Sequence, residues 1–166
     1  MKFALLLTVA LACTAPAFAA DCPADQQRPN GEAGGMEMST AVTTGVNETP
    51  LAATDLTEQY QMPGRTLRTR RLEINPGGVV AVHEHLRRPA VTFVLNGRIT
   101  EYRSNCAVPL DHLAGDVITE AGTYYHYWRN NGSRRAVLIT TDILPPPEPE
   151  ATATPPPPPR RAPRRR

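Results

Sequence analysis

Lysine is all but absent from this chain of 166 residues: Lys2 is the only one, and arginine carries every other basic position. Phenylalanine is nearly as scarce, and beyond residue 20 only Phe93 remains. No apolar run in the body reaches the roughly 18–20 residues that a spanning helix needs, which excludes a polytopic helical membrane protein. There is no glycine-rich phosphate loop and no nucleophile–base motif, so nucleotide-binding and hydrolase readings have no support. A basic patch on the folded part is missing too. Residues 21–144 hold 12 arginines against 14 acidic residues, a balance of −2, whereas residues 145–166 hold five arginines against two glutamates, a balance of +3. The formal net charge of +2 therefore comes from the ends, and a nucleic-acid partner is not expected.

What is present divides the chain. Lys2, the short apolar stretch 3–12 and the small-x-small sequence Ala17-Phe18-Ala19 read as a secretory signal over 1–19, so a periplasmic or secreted location is expected. Ala10-Leu11-Ala12-Cys13 is a weaker lipoprotein alternative. Residues 145–166 hold ten of the 18 prolines and end in Arg164-Arg165-Arg166. Proline runs neither continue a helix nor donate to a ladder, so the tail reads as disordered polyproline. It is either a solvated end or a contact for an anionic envelope surface. Cys22 and Cys106 remain beyond the signal, an even number suited to an oxidising compartment, and a disulfide between them would tie an N-terminal arm to the body.

Residues 20–64 are rich in Gly, Thr, Ala and Pro and read as an arm with one or two short strands. From residue 65 to 144 the pattern is that of strands: 66–74, 79–85, 90–95, 98–103, 116–120, 125–129 and 135–141. Turn clusters separate them at Asn75-Pro76-Gly77-Gly78, Asn96-Gly97 and Asn130-Asn131-Gly132. Asn96-Gly97 predicts a tight hairpin that pairs Val94 with Ile99 and Thr92 with Glu101. No amphipathic helix is evident, and short strands at this spacing argue for an all-β sandwich or barrel.

The chemistry sits in four histidines: His83, His85, His112 and His126. Residues two apart on a strand share a face, so His83 and His85 converge, and an imidazole from another strand would complete a divalent-metal face. Gly77, His83-Glu84-His85 and Gly97, followed by Gly115-Asp116, Gly122, His126 and Asn130, resemble the two motifs of the cupin family in order and spacing. The likeness covers residues 65–142 and is to the small single-domain members. It implies a jelly-roll barrel (a double-stranded β-helix) and a divalent transition metal (Fe, Mn, Zn, Ni or Cu) held by His83, His85 and His126. It also implies a small-molecule ligand or substrate, and pairing of two copies through an outer sheet face such as Val91, Phe93 and Leu95.

Two departures qualify the resemblance. The position where the first motif carries a glutamate ligand is Ala90, and Ala121 stands where the second motif carries proline. The missing carboxylate leaves three readings open: a three-histidine centre like that of thiol dioxygenases, replacement by Glu101, or a site that binds a ligand without metal. Glu101 and Arg103 would face the interior if the hairpin forms. Trp128 shares the face of His126. Arg88, beside Arg87, could clamp a carboxylate. His112 matches no motif position and reads as a loop histidine. The expected function is metal binding with metal-dependent catalysis, dioxygenase-like or isomerase-like, or else a non-enzymatic binding module.

Overall fold

The computed structural model describes residues 21–29 and 39–147. The signal segment and most of the tail lie outside the described residues. Apart from one turn of 3-10 helix at Ala24–Gln26, the elements are strands: β1 (Thr44–Asp55), β2 (Thr66–Asn96), β3 (Arg98–Arg103), β4 (Leu110–Leu113), β5 (Val117–Arg129) and β6 (Ala136–Leu144).

The register shows how they close. β2 is one ribbon bent twice. Its stretch 66–74 pairs with β1 on one side and β6 on the other, and β6 pairs again with stretch 90–96, which in turn pairs with the start of β5. This is the first sheet. The middle stretch of β2, 79–85, pairs with the later half of β5; β5 continues to β3, and β3 to β4. This is the second sheet. β2 and β5 each run in both, so two antiparallel sheets face one another and share their corners. That is a jelly-roll barrel, and the all-β class is as expected from the strand pattern.

Two local expectations change. The segment 44–55 of the arm, where one or two short strands are expected, is a single 12-residue outer strand of the first sheet, aligned with β2 from Thr44↔Val79 to Asp55↔Thr66. Asn96-Gly97 does not make a hairpin: β3 pairs with β4 and β5, not with β2. Gly97 (φ 79°) instead turns the chain from one sheet into the other. Hairpin and corner both need a residue at positive φ, so the dipeptide carries the same signature for either.

The interior is graded along the barrel. Inward rows of the first sheet run Leu72–Leu138–Val94, then Arg70–Thr140–Thr92–Ile118, then Arg68–Asp142–Ala90–Glu120. The first row joins Ile74, Ile99, Ile118, Ala136 and Trp128 in an apolar core. The last two rows turn polar and form the mouth. Outward, Val91, Phe93 and Leu95 are exposed. Beyond the Arg103 end of β3, Cys22 and Cys106 form a disulfide. The Gln27↔Cys106 bridge and backbone bonds from Arg28 to Asn105 and from Ala107 to Gln26 lay segment 21–29 along the loop after β3.

Candidate metal centre

His83 and His85 stand on the middle stretch of β2, and His126 faces His83 across the ladder. The ring centroids are 4.3 Å (His83–His126), 5.0 Å (His83–His85) and 5.0 Å (His85–His126) apart. Glu120, also on β5, is the cross-strand partner of Ala90. One donor atom from each of His83, His85, Glu120 and His126 lies within 4.8 Å of the others. The carboxylate missing from position 90 is thus replaced from the neighbouring strand, directly opposite the alanine. The small side chain at Ala90 leaves Glu120 its place in the interior.

Each imidazole is tied on its outer nitrogen. His83 Nδ1 is 2.8 Å from the Ala81 carbonyl and His85 Nδ1 is 2.7 Å from the Arg88 carbonyl. A carbonyl only accepts, so both Nδ1 atoms donate, and the lone pair of each neutral ring is left on Nε2. His126 Nδ1 donates to Glu101 at 2.6 Å. His85 Nε2, His126 Nε2 and Glu120 Oε1 are buried without a hydrogen-bond partner. His85 Nε2 lies 2.8 Å from Glu120 Oε2, and His126 Nε2 3.7 Å from it. Three nitrogen lone pairs and a carboxylate aimed at one point repel unless a cation stands among them. This donor set suits a divalent transition metal, and outer hydrogen bonds that fix ligand tautomers are what such centres use.

The electrostatics agree. Burial, with the neighbouring His126, pushes the His83 imidazole down to about 4, so it is neutral and its lone pair is available near pH 7. Burial alone would raise the Glu120 carboxyl, but a hydrogen bond from His85 and the charge of His126, which call for a proton where a cation would otherwise stand, outweigh it and hold the group below its ordinary value. The same contest, settled by His112, His126 and Arg103, holds Glu101 well below the carboxylate range.

Glu101 points inward, as one sequence reading had it, but it does not join the cluster. It lies behind His126, fully buried, and also receives a hydrogen bond from His112 Nε2 at 3.1 Å and an ion pair from Arg103 Nε at 2.8 Å. Its orientation comes from β5, where it is the partner of Trp128, and not from the expected hairpin. Arg103 is buried, lies over the Tyr124 ring and reaches Asp21 at 3.8 Å. Trp128 packs between His112 and His126. Arg88 serves the centre through its carbonyl, while its guanidinium stands 3.5 Å from Asp142. His112 is on β4 and fully buried, not in a loop.

Glu120 was the residue that sequence reasoning passed over. The alternation Ile118–Glu120 carried the signal: an apolar inward Ile118 implies an inward Glu120 on the same face.

A chamber of about 20 Å³ between His83, Glu120, Thr92 and Trp128 shares Arg70, Leu72, Val80 and His83 with a wider cleft of about 230 Å³. His83, the least buried of the four donors, lines both.

No protein-family model and no curated protein matches the chain. Among solved structures it is similar to the cupin domain of Schizosaccharomyces pombe Cnp3 (14% identity, 64% of this chain and 69% of that one, TM-score 0.48). A second is the Cupin_2 domain of an XRE family transcriptional regulator from Enterobacter cloacae (15%, 61% and 99%, 0.48). A third is a cupin superfamily protein from Desulfitobacterium hafniense (16%, 64% and 84%, 0.47). The jelly-roll architecture stands on the strand pairing itself, and the solved structures to which this chain is similar include cupin domains.

Proposed function

We propose that this protein is an exported cupin that holds one divalent transition metal through His83, His85, His126 and Glu120 and acts on a small polar molecule at the mouth of its barrel. The observation that carries this is the convergence of partnerless Nε2 atoms on a buried carboxylate, with every outer nitrogen already committed. A metal bound there supplies Lewis acidity or a site for an oxygen-linked step. The chain's own residues do the rest. Glu101 holds His126 in one tautomer. Leu72, Val80, Leu138 and Trp128 supply the apolar part of the inner chamber's wall. The side toward His83 is left open for a ligand.

The carboxylate at Glu120 favours a mixed histidine–carboxylate centre over a bare three-histidine one. The Cys22–Cys106 disulfide supports an oxidising compartment. Exposed Val91, Phe93 and Leu95, with Val117 beside Phe93, support pairing of two copies through this face. Sedimentation of wild type and Phe93→Glu tests the pairing, and a wild-type monomer would end that part.

The central test is elemental analysis of the full chain purified from its native compartment, beside a His83→Ala/His85→Ala variant. One ion per chain in the first and none in the second is expected; equal metal in both would refute the site. Oxygen uptake by the iron-loaded protein with a panel of thiols then tests the dioxygenase-like reading, and a flat trace favours the non-enzymatic binding module.

A further inference from the structure

The cleft in front of the centre has its own chemistry. It is lined by Arg70, Arg88, His83, Leu72 and Val80, among others, at about 230 Å³. That is below the roughly 300–1,000 Å³ of pockets for drug-sized ligands, so the occupant is small. Three guanidiniums, of Arg68, Arg70 and Arg88, share the two carboxylates of Glu48 and Asp142. Asp142 is taken by Arg68, whose Nε and Nη2 grip it at 3.1 and 2.8 Å. Glu48 is held by Arg70 Nη1 at 2.7 Å. Two donors then lack a good acceptor. Arg70 Nε is buried without any partner, and Arg70 Nη2 has only Asp142 at 3.7 Å. These two N–H groups form one edge of the guanidinium fork, and that edge offers two parallel donors spaced for the two oxygens of a planar carboxylate. Arg88, whose guanidinium has Asp142 at 3.5 Å, adds a second cation to the same wall.

We infer that the cleft binds the carboxylate of a small organic acid, with the Nε–Nη2 edge of Arg70 receiving its two oxygens and Arg88 balancing its charge, so that the rest of the molecule meets the metal on the open side of His83. The inference takes its position relative to the metal from the function proposed above, whereas the arginine subsite stands on its own donors. In a purely structural ion-pair network a buried Nε ordinarily faces a carboxylate, as Arg103 Nε faces Glu101 at 2.8 Å.

The test is isothermal titration of the full chain with formate, malonate and inorganic phosphate, in zinc-loaded and chelator-treated protein. Arg70→Gln, Arg70→Lys and Arg88→Gln are treated alike, and zinc is titrated into every preparation. Saturable binding of formate and malonate is expected, weakened tenfold or more by Arg70→Gln and severalfold by Arg70→Lys, which keeps the charge and loses the fork. Far-UV circular dichroism checks that the variants fold, and the lysine variant carries the test if the glutamine variant does not. A protein that takes up zinc but binds no carboxylate overturns the subsite and leaves the metal centre standing. Carboxylate binding without zinc uptake supports the subsite and removes the metal centre. Undiminished binding by Arg70→Gln, or phosphate bound as tightly as the carboxylates, overturns the assignment to the Arg70 edge.

Discussion

Two buried carboxylates flank His126, and what each touches separates their work. Glu120 faces the Nε2 side and is a donor to the centre, whereas Glu101 accepts from Nδ1 and sets the ring. Glu101→Gln keeps the shape but loses the charge that fixes the tautomer. Its metal affinity is expected to fall about 10–100-fold with the fold intact, as for other groups that orient metal ligands. Competition against a fluorescent chelator reads this directly. Glu120→Ala should cost more, and a variant that binds zinc as wild type does would remove Glu120 from the donor set. A third carboxylate contributes to acid stability beside these two. Burial pushes Asp142 upward, but hydrogen bonds from Arg68 and the charges of Arg68, Arg70 and Arg88 outweigh it and hold it below its ordinary value. A folded pKa below the unfolded one means that the stabilisation is complete above the unfolded value of about 3.9 and is lost as pH falls through the folded one. Urea midpoints should therefore drop below about pH 4 in wild type, and less steeply in Asp142→Asn. An equal slope in both would refute the assignment. At this scale the histidines were legible, because their spacing alone places two on one face. Glu120 was not, because the family pattern directs attention to position 90 while the carboxylate had moved across the ladder.

Strands were legible from their alternation; their partners were not. Seven short runs stand in the sequence, yet 66–96 is one ribbon that pairs with three other strands. Pairing between residues such as Arg68 and Asp142, far apart in the chain, leaves no local mark. Gly97 shows the consequence, since its dipeptide reads as a hairpin and acts as a corner. A Cβ there would stand 2.8 Å from the Arg135 carbonyl oxygen and 3.1 Å from Ala136 Cα, both backbone atoms, at a φ of +79°. Gly97→Ala is expected to destabilise by roughly 2–4 kcal/mol, from the positive φ and from the displaced start of β6. Guanidinium unfolding measures it, and a change under about 0.5 kcal/mol, the range of an ordinary surface site, would mean the corner is not under this constraint.

For the molecule as a whole, the disulfide joins residues separated by 84 positions and holds segment 21–29 against the loop after β3. Cys22→Ala/Cys106→Ala is expected to lose about 2–5 kcal/mol, the usual effect of removing a native bridge from a small domain. Thermal unfolding of the variant beside wild type checks it, and an unchanged midpoint would show the tether to be dispensable. The four candidate donors would form a second tether of another kind once an ion is bound. His83 and His85 come from β2, Glu120 and His126 from β5, and Glu120 belongs to the first sheet while the histidines belong to the second. An ion held by all four is a clasp across the barrel, closing the two sheets at the polar end where the apolar core does not reach. Opening that end then requires releasing the ion, so the mouth should breathe as a unit only in the metal-free protein. Amide exchange of β2 and β5 near the donors is expected to slow together on metal addition, while β4, which supplies no donor, keeps its rate.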